Sequence, residues 1–172
     1  YETEDHKQRT KLIDILNHDV QRIERLITDY SQILKDEVAL SKEKMKKIDL
    51  KLITKSVVDD FNNIYEAKRG IQIILKDQNA KEEYFINGIE NRIEQIIANL
   101  LDNSISFSDN NKKILVEISK NEKDQIILKV IDEGKGFKET STKKIFDRFY
   151  SNRPDNFGEH SGLGLNIVKN LV

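Results

Sequence analysis

The sequence contains no cysteine, no tryptophan and one proline among its 172 residues, and only three residues are histidine. Without cysteine the chain has no disulfide framework, no thiolate zinc site and no cysteine nucleophile. Three scattered histidines argue against a metal centre built from imidazole groups. These absences exclude several classes of metalloprotein and of covalent enzyme.

Neither sign of charge dominates, since 29 Lys and Arg stand against 30 Asp and Glu, for a formal net charge of -1. Such a chain has no bulk positive field to attract nucleic acid or a membrane surface. No apolar run approaches the roughly 20 residues that a membrane helix needs. We therefore expect no nucleic-acid partner, no membrane-spanning segment in these residues, and a cytoplasmic location.

The two ends of the sequence suggest an excerpt. The chain starts without Met and stops at Val172, inside an apolar-periodic segment. A folded domain rarely ends halfway through a buried helix. We interpret the sequence as an excerpt of a longer protein, and we expect any membrane-spanning or sensing part to lie outside these residues.

A helical pattern without Gly or Pro covers residues 4–40. Its apolar residues step alternately by three and four, and we call them the N-terminal apolar stripe: Ile13, Leu16, Val20, Ile23, Ile27, Tyr30 and Leu34. This spacing is typical of a coiled coil or a helical bundle. The alternative is a solvent-facing helix packed on its own domain; the regular spacing favours packing within a hairpin or against a second chain.

A Lys-rich stretch, residues 41–47, separates this helix from a mixed pattern. The patterning predicts strands at 47–50, 71–75, 113–120 and 125–132, and helices at 51–67, at 89–107 and from about 162. We therefore predict two parts, a helical part over residues 1–44 and a mixed α+β domain over residues 45–172.

Three short patterns carry candidate chemistry. Gln95, Asn99 and Asn103 share one helix face, where amide oxygens suit a hard cation and amide N–H groups suit phosphate. Asp132 continues an apolar strand row and is followed by Gly134 and Gly136, so we expect it to be buried and to accept a hydrogen bond. Each pattern alone also fits an ordinary helix or turn.

The third pattern is a glycine-rich start to an apolar helix, Gly162, Leu163, Gly164 and Leu165. Backbone N–H groups at a helix N-terminus form a natural phosphate cradle. A loop entering a helix would explain this segment equally well if it stood alone.

The order of the patterns resembles the ATP-binding catalytic domain of sensor histidine kinases, in the group that includes gyrase B, Hsp90 and MutL. Residues 94–103 resemble the N box, 132–136 the G1 box, 145–150 the F box and 162–165 the G2 box. Residues 17–27 are similar to the second helix of the dimerisation and histidine-phosphotransfer hairpin, with a likeness to ChvG-type kinases of alphaproteobacteria.

The resemblance implies a two-layer α/β sandwich of the Bergerat type that binds Mg-ATP, preceded by one helix of a dimeric hairpin. Asn99 would hold Mg²⁺, Asn103 would contact the phosphates, and Asp132 would accept the adenine amino group. The remaining implied nucleotide contacts are Ser106, Gly134, Gly136, Tyr150, Gly162, Leu163, Gly164 and Leu165. Phe146 and Phe149 would anchor a lid over residues 137–161, and Arg148 and Arg153 would interact with the negative charge of the γ-phosphate.

Within this group, ATP-hydrolysing relatives place a Glu one turn before the metal-binding Asn. Gln95 stands at that place here, and a neutral amide is a poor general base. The resemblance therefore implies transfer of the γ-phosphoryl to a protein histidine, and from there to an aspartate of a response regulator. Gln95 and Arg148 are candidates for catalytic support.

The sequence also departs from the family pattern. Ser106 replaces a lysine that often contacts phosphate, and the strands that usually follow the last helix are absent. His6 lacks the flanking residues of a phosphoacceptor box, so we place the acceptor histidine outside this chain. Two alternatives stay open: an ATP-driven clamp or anti-sigma-type serine kinase, and a non-catalytic dimerisation scaffold with a degenerate pocket.

Overall fold

A computed structural model of the chain describes residues 8–17, 19–21, 23–24, 27–28, 30–31, 44–79, 82–136, 143–147, 150 and 162–172. All described residues up to 31 are helical, which confirms the predicted helix at those positions. The described members of the N-terminal apolar stripe, Ile13, Leu16, Val20, Ile23, Ile27 and Tyr30, are 44% to 61% exposed. The described part of the chain therefore leaves this stripe uncovered.

The rest of the described chain alternates strands and helices. In order these are β1 (Lys46–Asp49), α1 (Leu50–Arg69), β2 (Gln72–Asp77), β3 (Phe85–Gly88), α2 (Glu90–Phe107), β4 (Lys113–Lys120), β5 (Ile126–Ile131), a 3₁₀ turn (Lys144–Phe146) and α3 (Gly164–Leu171). Among the described residues, no helix has both the length and the apolar character needed to cross a bilayer.

The strands of the described chain form two sheets. The larger has the order β2-β4-β5, with β2 parallel to β4 and β4 antiparallel to β5. The smaller is an antiparallel pair of β1 and β3. Parallel neighbours such as β2 and β4 need a long crossover, and the segment containing β3 and α2 supplies it here.

The helices α1 and α2 pack together over one face of the larger sheet. The buried side chains that fill this layer are Ile53, Val57 and Val58 from α1, Ile97, Leu101 and Ile105 from α2, and Ile73, Ile114, Val116 and Ile118 from the sheet. Alternate residues of β4 supply the core, as expected for a strand with one buried face. The predicted two-layer α/β sandwich is confirmed.

The junction between β1 and α1 has no intervening loop, because Asp49 both ends the strand and caps the helix. Its carboxylate accepts the backbone N–H groups of Lys51 and Leu52, at 3.0 and 3.3 Å. Such a side chain satisfies donors that the first helical turn leaves without partners. At the other end of α1, Gly70 adopts the left-handed conformation, and its N–H bonds to the carbonyl of Glu66.

A polar cluster ties the end of β2 to this junction. Asp77 accepts hydrogen bonds from the Lys51 ammonium, from the Tyr84 hydroxyl at 2.7 Å and from the Asn79 N–H at 3.0 Å. Burial by itself raises the pKa of Asp77, but these donors outweigh it and hold the pKa below the ordinary 3.8. Burial and the Asp77 carboxylate together raise the pKa of Tyr84 to about 12.

The structure adds one strand to those predicted from the sequence. β3 is only four residues long and ends in glycine, so its own residues give little strand signal. Its stability comes from pairing with β1, with Ile48 opposite Ile86, and from the Lys47 ammonium 4.1 Å from the centre of the Phe85 ring. The strand predicted over 125–132 is shorter than expected and ends at Ile131.

Candidate nucleotide-binding site

The candidate site begins with the polar face of α2. Gln95, Asn99 and Asn103 are all partly exposed, whereas Ile97 and Leu101 on the other side of the helix are fully buried. The helical spacing thus separates an amide-bearing face from a core face, as predicted. Ser106, three residues after Asn103, is buried, and its hydroxyl donates to the Asp102 carbonyl at 2.7 Å.

The sequence did not indicate that a buried arginine would lie beside the first of these amides. Arg92 is 7% exposed, and its Nη1 donates to Oε1 of Gln95 at 3.3 Å. The bond orients the Gln95 amide, with its oxygen directed to the arginine. The only signal in the sequence was the three-residue spacing of a cation and an amide, which many surface helices share.

The end of β5 contributes Asp132 and the glycine turn after it. The Asp132 carboxylate accepts the N–H of Gly134 at 2.8 Å, so the predicted donor exists. The expected burial of Asp132 was wrong, because β5 ends at Ile131 and the next residue is exposed. The strand row that precedes it, Ile126, Leu128 and Val130, does pack on the core.

Gly134 lies directly against the end of α2. A Cβ on Gly134 would stand 2.8 Å from the Phe107 carbonyl oxygen and 2.8 Å from Oδ1 of Asp132, both shorter than side chains tolerate. Only glycine permits this close approach of backbone to backbone. The turn after β5 is thereby held beside the last turn of α2, next to its amide face.

The glycine-rich segment closes the site from a third direction. α3 starts at Gly164 and packs against α2. A Cβ on Gly164 would stand 3.3 Å from the Asn99 side-chain oxygen, so the start of α3 lies in contact with the centre of the amide face. Leu163 is buried beside it, and Asn166 donates to the Phe146 carbonyl at 2.9 Å, which links α3 to the 3₁₀ turn.

Several predicted residues contribute little to this geometry or fall outside it. Phe146 and Tyr150 are partly buried, and the Tyr150 N–H lies 3.4 Å from the Asp147 carbonyl oxygen. The remaining predicted residues lie outside the described residues: His6, His18, Arg148, Phe149, Arg153 and His160. The structure therefore brings together the segments around Asn99, Asp132 and Gly164.

This arrangement fits a magnesium-bound polyphosphate. Amide oxygens from the α2 face are hard, neutral ligands of the kind that Mg²⁺ accepts together with phosphate oxygens. The N-terminus of α3 presents backbone N–H groups and the positive end of its dipole within contact distance of Asn99. Within the described residues, no group of three His, Asp or Glu side chains could hold a metal by itself.

Comparison with known proteins agrees with this chemistry. Residues 88–172 match the family described as histidine kinase-, DNA gyrase B-, and HSP90-like ATPases. Sensor protein ChvG of Agrobacterium fabrum is 36% identical over 99% of this chain and 29% of its own length. Sensor protein ChvG of Rhizobium meliloti is 32% identical over 96% of this chain and 30% of its own length. The chain thus spans about three tenths of these relatives.

Solved structures show the same fold. The catalytic domain of the histidine kinase ThkA superposes with a TM-score of 0.64 at 22% identity, over 76% of this chain and 80% of that one. The mycobacterial sensor histidine kinase MprB gives a TM-score of 0.62 at 20% identity, over 74% of this chain and 77% of that one. The predicted resemblance, including the likeness to ChvG-type kinases, is confirmed. The chain carries a domain that belongs to the histidine kinase-, DNA gyrase B- and HSP90-like ATPase family, and it is a homologue of bacterial sensor kinases.

Proposed function

We propose that this chain binds Mg-ATP and transfers its γ-phosphoryl group to a histidine side chain, for relay to an aspartate of a response regulator. The observation that carries the proposal is the contact between Asn99 and Gly164, because it joins an amide-bearing face to a phosphate-binding helix start. The match of residues 88–172 to an ATPase family supports ATP as the nucleotide. The ChvG relatives, which are named sensor proteins, support a signalling role.

In the proposed complex, the Asp132 carboxylate accepts a hydrogen bond from the adenine amino group. This exposed carboxylate already accepts the Gly134 N–H through Oδ1, which orients the side chain. Gly134 and Gly136 let the base and ribose pass close to the backbone. The backbone N–H groups of residues 162–165 hold the phosphates, with Asn103, while Ser106 and Tyr150 stay predicted nucleotide contacts.

Magnesium held by the amide face of α2 would neutralise phosphate charge. We assign Asn99 as its ligand from this chain, since that side chain contacts the start of α3. The same helix face presents Asn103 one turn later, within reach of the same polyphosphate. One turn before Asn99 lies Gln95, and one turn before Asn103 lies Asn99. Both are neutral amides, so whichever of the two asparagines holds the metal, the residue one turn earlier is a poor base for activating water.

The proposed reaction needs little from this domain beyond positioning and charge neutralisation. The bond between the γ-phosphorus and the bridging oxygen breaks as an imidazole nitrogen bonds to that phosphorus. ADP leaves, and the imidazole loses its N–H proton. We place the acceptor histidine outside this chain, on a helix that pairs with residues 4–40.

The N-terminal apolar stripe supports a homodimer, since six of its members are exposed in the single chain. Burying such a stripe against a second copy removes apolar surface from water, the main driving force of association. We propose that the full-length protein is an inner-membrane sensor whose cytoplasmic portion includes these residues. A receiver domain of a response regulator is its proposed downstream partner.

Calorimetry with a non-hydrolysable ATP analogue tests the nucleotide site. The chain is titrated with and without Mg²⁺, beside Asp132→Asn and the control Glu133→Gln. The control removes the neighbouring charge, which forms an exposed ion pair with Lys112 at 3.3 Å. We expect Mg-dependent binding that weakens about tenfold or more in Asp132→Asn, the loss of one charged hydrogen bond, and little change in Glu133→Gln. A folded chain that binds no nucleotide would instead favour a signalling scaffold.

A further inference from the structure

One arginine of α1 holds the end of α2. Arg69 is the last residue of α1, and its guanidinium donates to three acceptors near the end of α2. Nη1 bonds to the Ile105 carbonyl at 2.7 Å, Nη2 to the Ser108 carbonyl at 2.6 Å, and Nε to Oδ1 of Asn110 at 2.9 Å. The three bonds use both edges of the planar fork.

The end of α2 needs such a partner. The last carbonyls of a helix lack intrahelical donors, and this helix has no basic residue in its own last turn. It also ends at Ser108 in an extended conformation rather than at a left-handed glycine. Arg69 adds a charged donor to the Ile105 carbonyl, which also accepts the Ser108 N–H at 3.3 Å, and supplies a donor to the Ser108 carbonyl. Its charge also complements the negative end of the helix dipole. The described residues supply that cation from a different helix.

The same end of α2 supports the turn that carries Asp132. Phe107 lies between the two carbonyls that Arg69 holds, and its own carbonyl is the atom against which Gly134 packs. The Gly134 N–H in turn bonds to the Asp132 carboxylate at 2.8 Å. A continuous set of contacts therefore joins the Arg69 guanidinium to Asp132 through the last turn of α2.

We infer that Arg69 is a positioning residue for nucleotide recognition: it fixes the carboxyl end of α2, and through Phe107 and Gly134 it sets the position of the Asp132 carboxylate. The inference rests on the proposed function, in which Asp132 accepts the adenine amino group. Arg69 itself contacts neither the nucleotide nor the reacting atoms. Its loss should weaken discrimination of the base, while the phosphate contacts of α3 stay in place.

The ratio of two affinities tests this role. The full chain is titrated in Mg²⁺ with ADP and with purine riboside 5′-diphosphate, which differs from ADP only in lacking the 6-amino group. A variant with a smaller folded fraction binds both nucleotides proportionally less, so the ratio isolates recognition of the amino group. We expect the wild-type chain to prefer ADP by about tenfold or more, as for one hydrogen bond to a charged group.

In Arg69→Gln the preference should fall to about threefold or less, since the carboxylate no longer has a fixed position. The control Lys68→Gln removes the neighbouring exposed cation of the same helix turn and should keep the full preference. If Arg69→Gln does not fold, Arg69→Lys replaces it, because an ammonium cannot reproduce the planar fork across three acceptors. That variant should lose part of the preference.

The outcomes separate the inference from the proposal beneath it. A wild-type chain that binds both nucleotides equally would overturn the adenine contact of Asp132, and the role of Arg69 with it. A wild-type preference that survives in Arg69→Gln, or in Arg69→Lys where that variant replaces it, would overturn the positioning role alone. Loss of the preference in the arginine variant, with retention in Lys68→Gln, would support it.

Discussion

The side-chain oxygen of Asn99 lies 3.3 Å from the position that a Cβ on Gly164 would occupy, so the centre of one helix touches the first residue of another. These residues are 65 positions apart in the sequence. Their contact places the amide face of α2 beside the N-terminus of α3. The phosphate-binding part of the proposed site depends on this spacing.

Gly164→Ala should separate nucleotide binding from stability. The added methyl group presses on the Asn99 amide, so we expect Mg-ADP affinity to fall about tenfold, comparable to one weakened hydrogen bond to a charged group. Gly164 is in helical conformation and the new contact is only slightly tight, so the free energy of unfolding should change by less than about 1 kcal/mol. Calorimetry and urea unfolding measure the two effects. A variant that loses stability and affinity together contradicts the prediction.

Gly134→Ala should damage both properties. Its Cβ would stand 2.8 Å from the Phe107 carbonyl oxygen, a backbone atom that cannot rotate away. Overpacking of this kind costs about 1–3 kcal/mol, and the shifted turn would move Asp132. Gly136→Ala serves as the comparison for stability, because a Cβ there meets nothing within 4 Å and only its φ of +68° is unfavourable. Equal losses in the free energy of unfolding in the two variants would argue against a role for the Gly134 contact.

Tyr84→Phe should lower the free energy of unfolding by about 2 kcal/mol at pH 7, because it removes a hydrogen bond to the Asp77 carboxylate. The folded-state pKa of Asp77 lies below its ordinary 3.8. The stability that this carboxylate contributes is therefore present above 3.8 and is lost as the pH falls through the folded-state value. The difference between variant and wild type should shrink in acid.

At the alkaline end the same pair acts through Tyr84, whose pKa is raised to about 12. A raised folded-state pKa means that its contribution is complete below the ordinary value of 10 and is lost as the pH rises towards 12. Urea unfolding of the wild-type chain and of Tyr84→Phe at acid and neutral pH measures how the stability difference between them changes below the ordinary pKa of Asp77. Tyr65→Phe, which alters a ring stacked on Phe61, is the control and should show no comparable pH dependence.

Val20→Glu should shift the chain towards monomer. Val20 belongs to the N-terminal apolar stripe and is 53% exposed in the single chain, so a carboxylate there would be buried only in a dimer. Light scattering over a range of concentrations measures the shift. Gln21→Glu introduces the same charge at the next residue, off the stripe, and should leave the dimer intact. A wild-type chain that stays monomeric would contradict the proposed assembly.

A carboxylate on the amide face of α2 should convert part of the phosphoryl-transfer chemistry into ATP hydrolysis. We expect Gln95→Glu to raise the basal hydrolysis rate about tenfold or more, through general-base activation of water. Asn99→Glu is measured beside it, because the responsive position identifies the residue one turn before the metal ligand. Phosphate release assays report both rates. If neither variant hydrolyses ATP faster than the wild-type chain, the neutral amides of α2 are not what keeps hydrolysis slow.

Local pattern was enough to predict most of the fold. The helices α1 and α2 and the strands β4 and β5 carry their own periodicity, and Gly70 marks the end of α1 as expected. The strand β3 could not be predicted in the same way, since it is stable only against β1. Its four residues give little strand signal apart from that partner.

In the candidate site, too, some features have a local sequence pattern and others depend on tertiary contacts. Its amides, its carboxylate and its glycine-rich helix start could be identified from residue type and spacing. The exposure of Asp132 could not, because strand parity assigns a face but does not show where pairing with β4 stops. The supporting arginines, Arg69 and Arg92, act through tertiary contacts that leave no periodic trace in the sequence.

The loop-free junction between β1 and α1 has a mechanical consequence. Asp49 ends the strand and caps the helix, and the Leu50 N–H is bonded to the Tyr84 carbonyl at 2.9 Å. The chain from Lys46 to the first turn of α1 therefore contains no loop that could act as a hinge. We therefore expect a rotation applied at Lys46 to turn β1, its partner β3 and the first turn of α1 together.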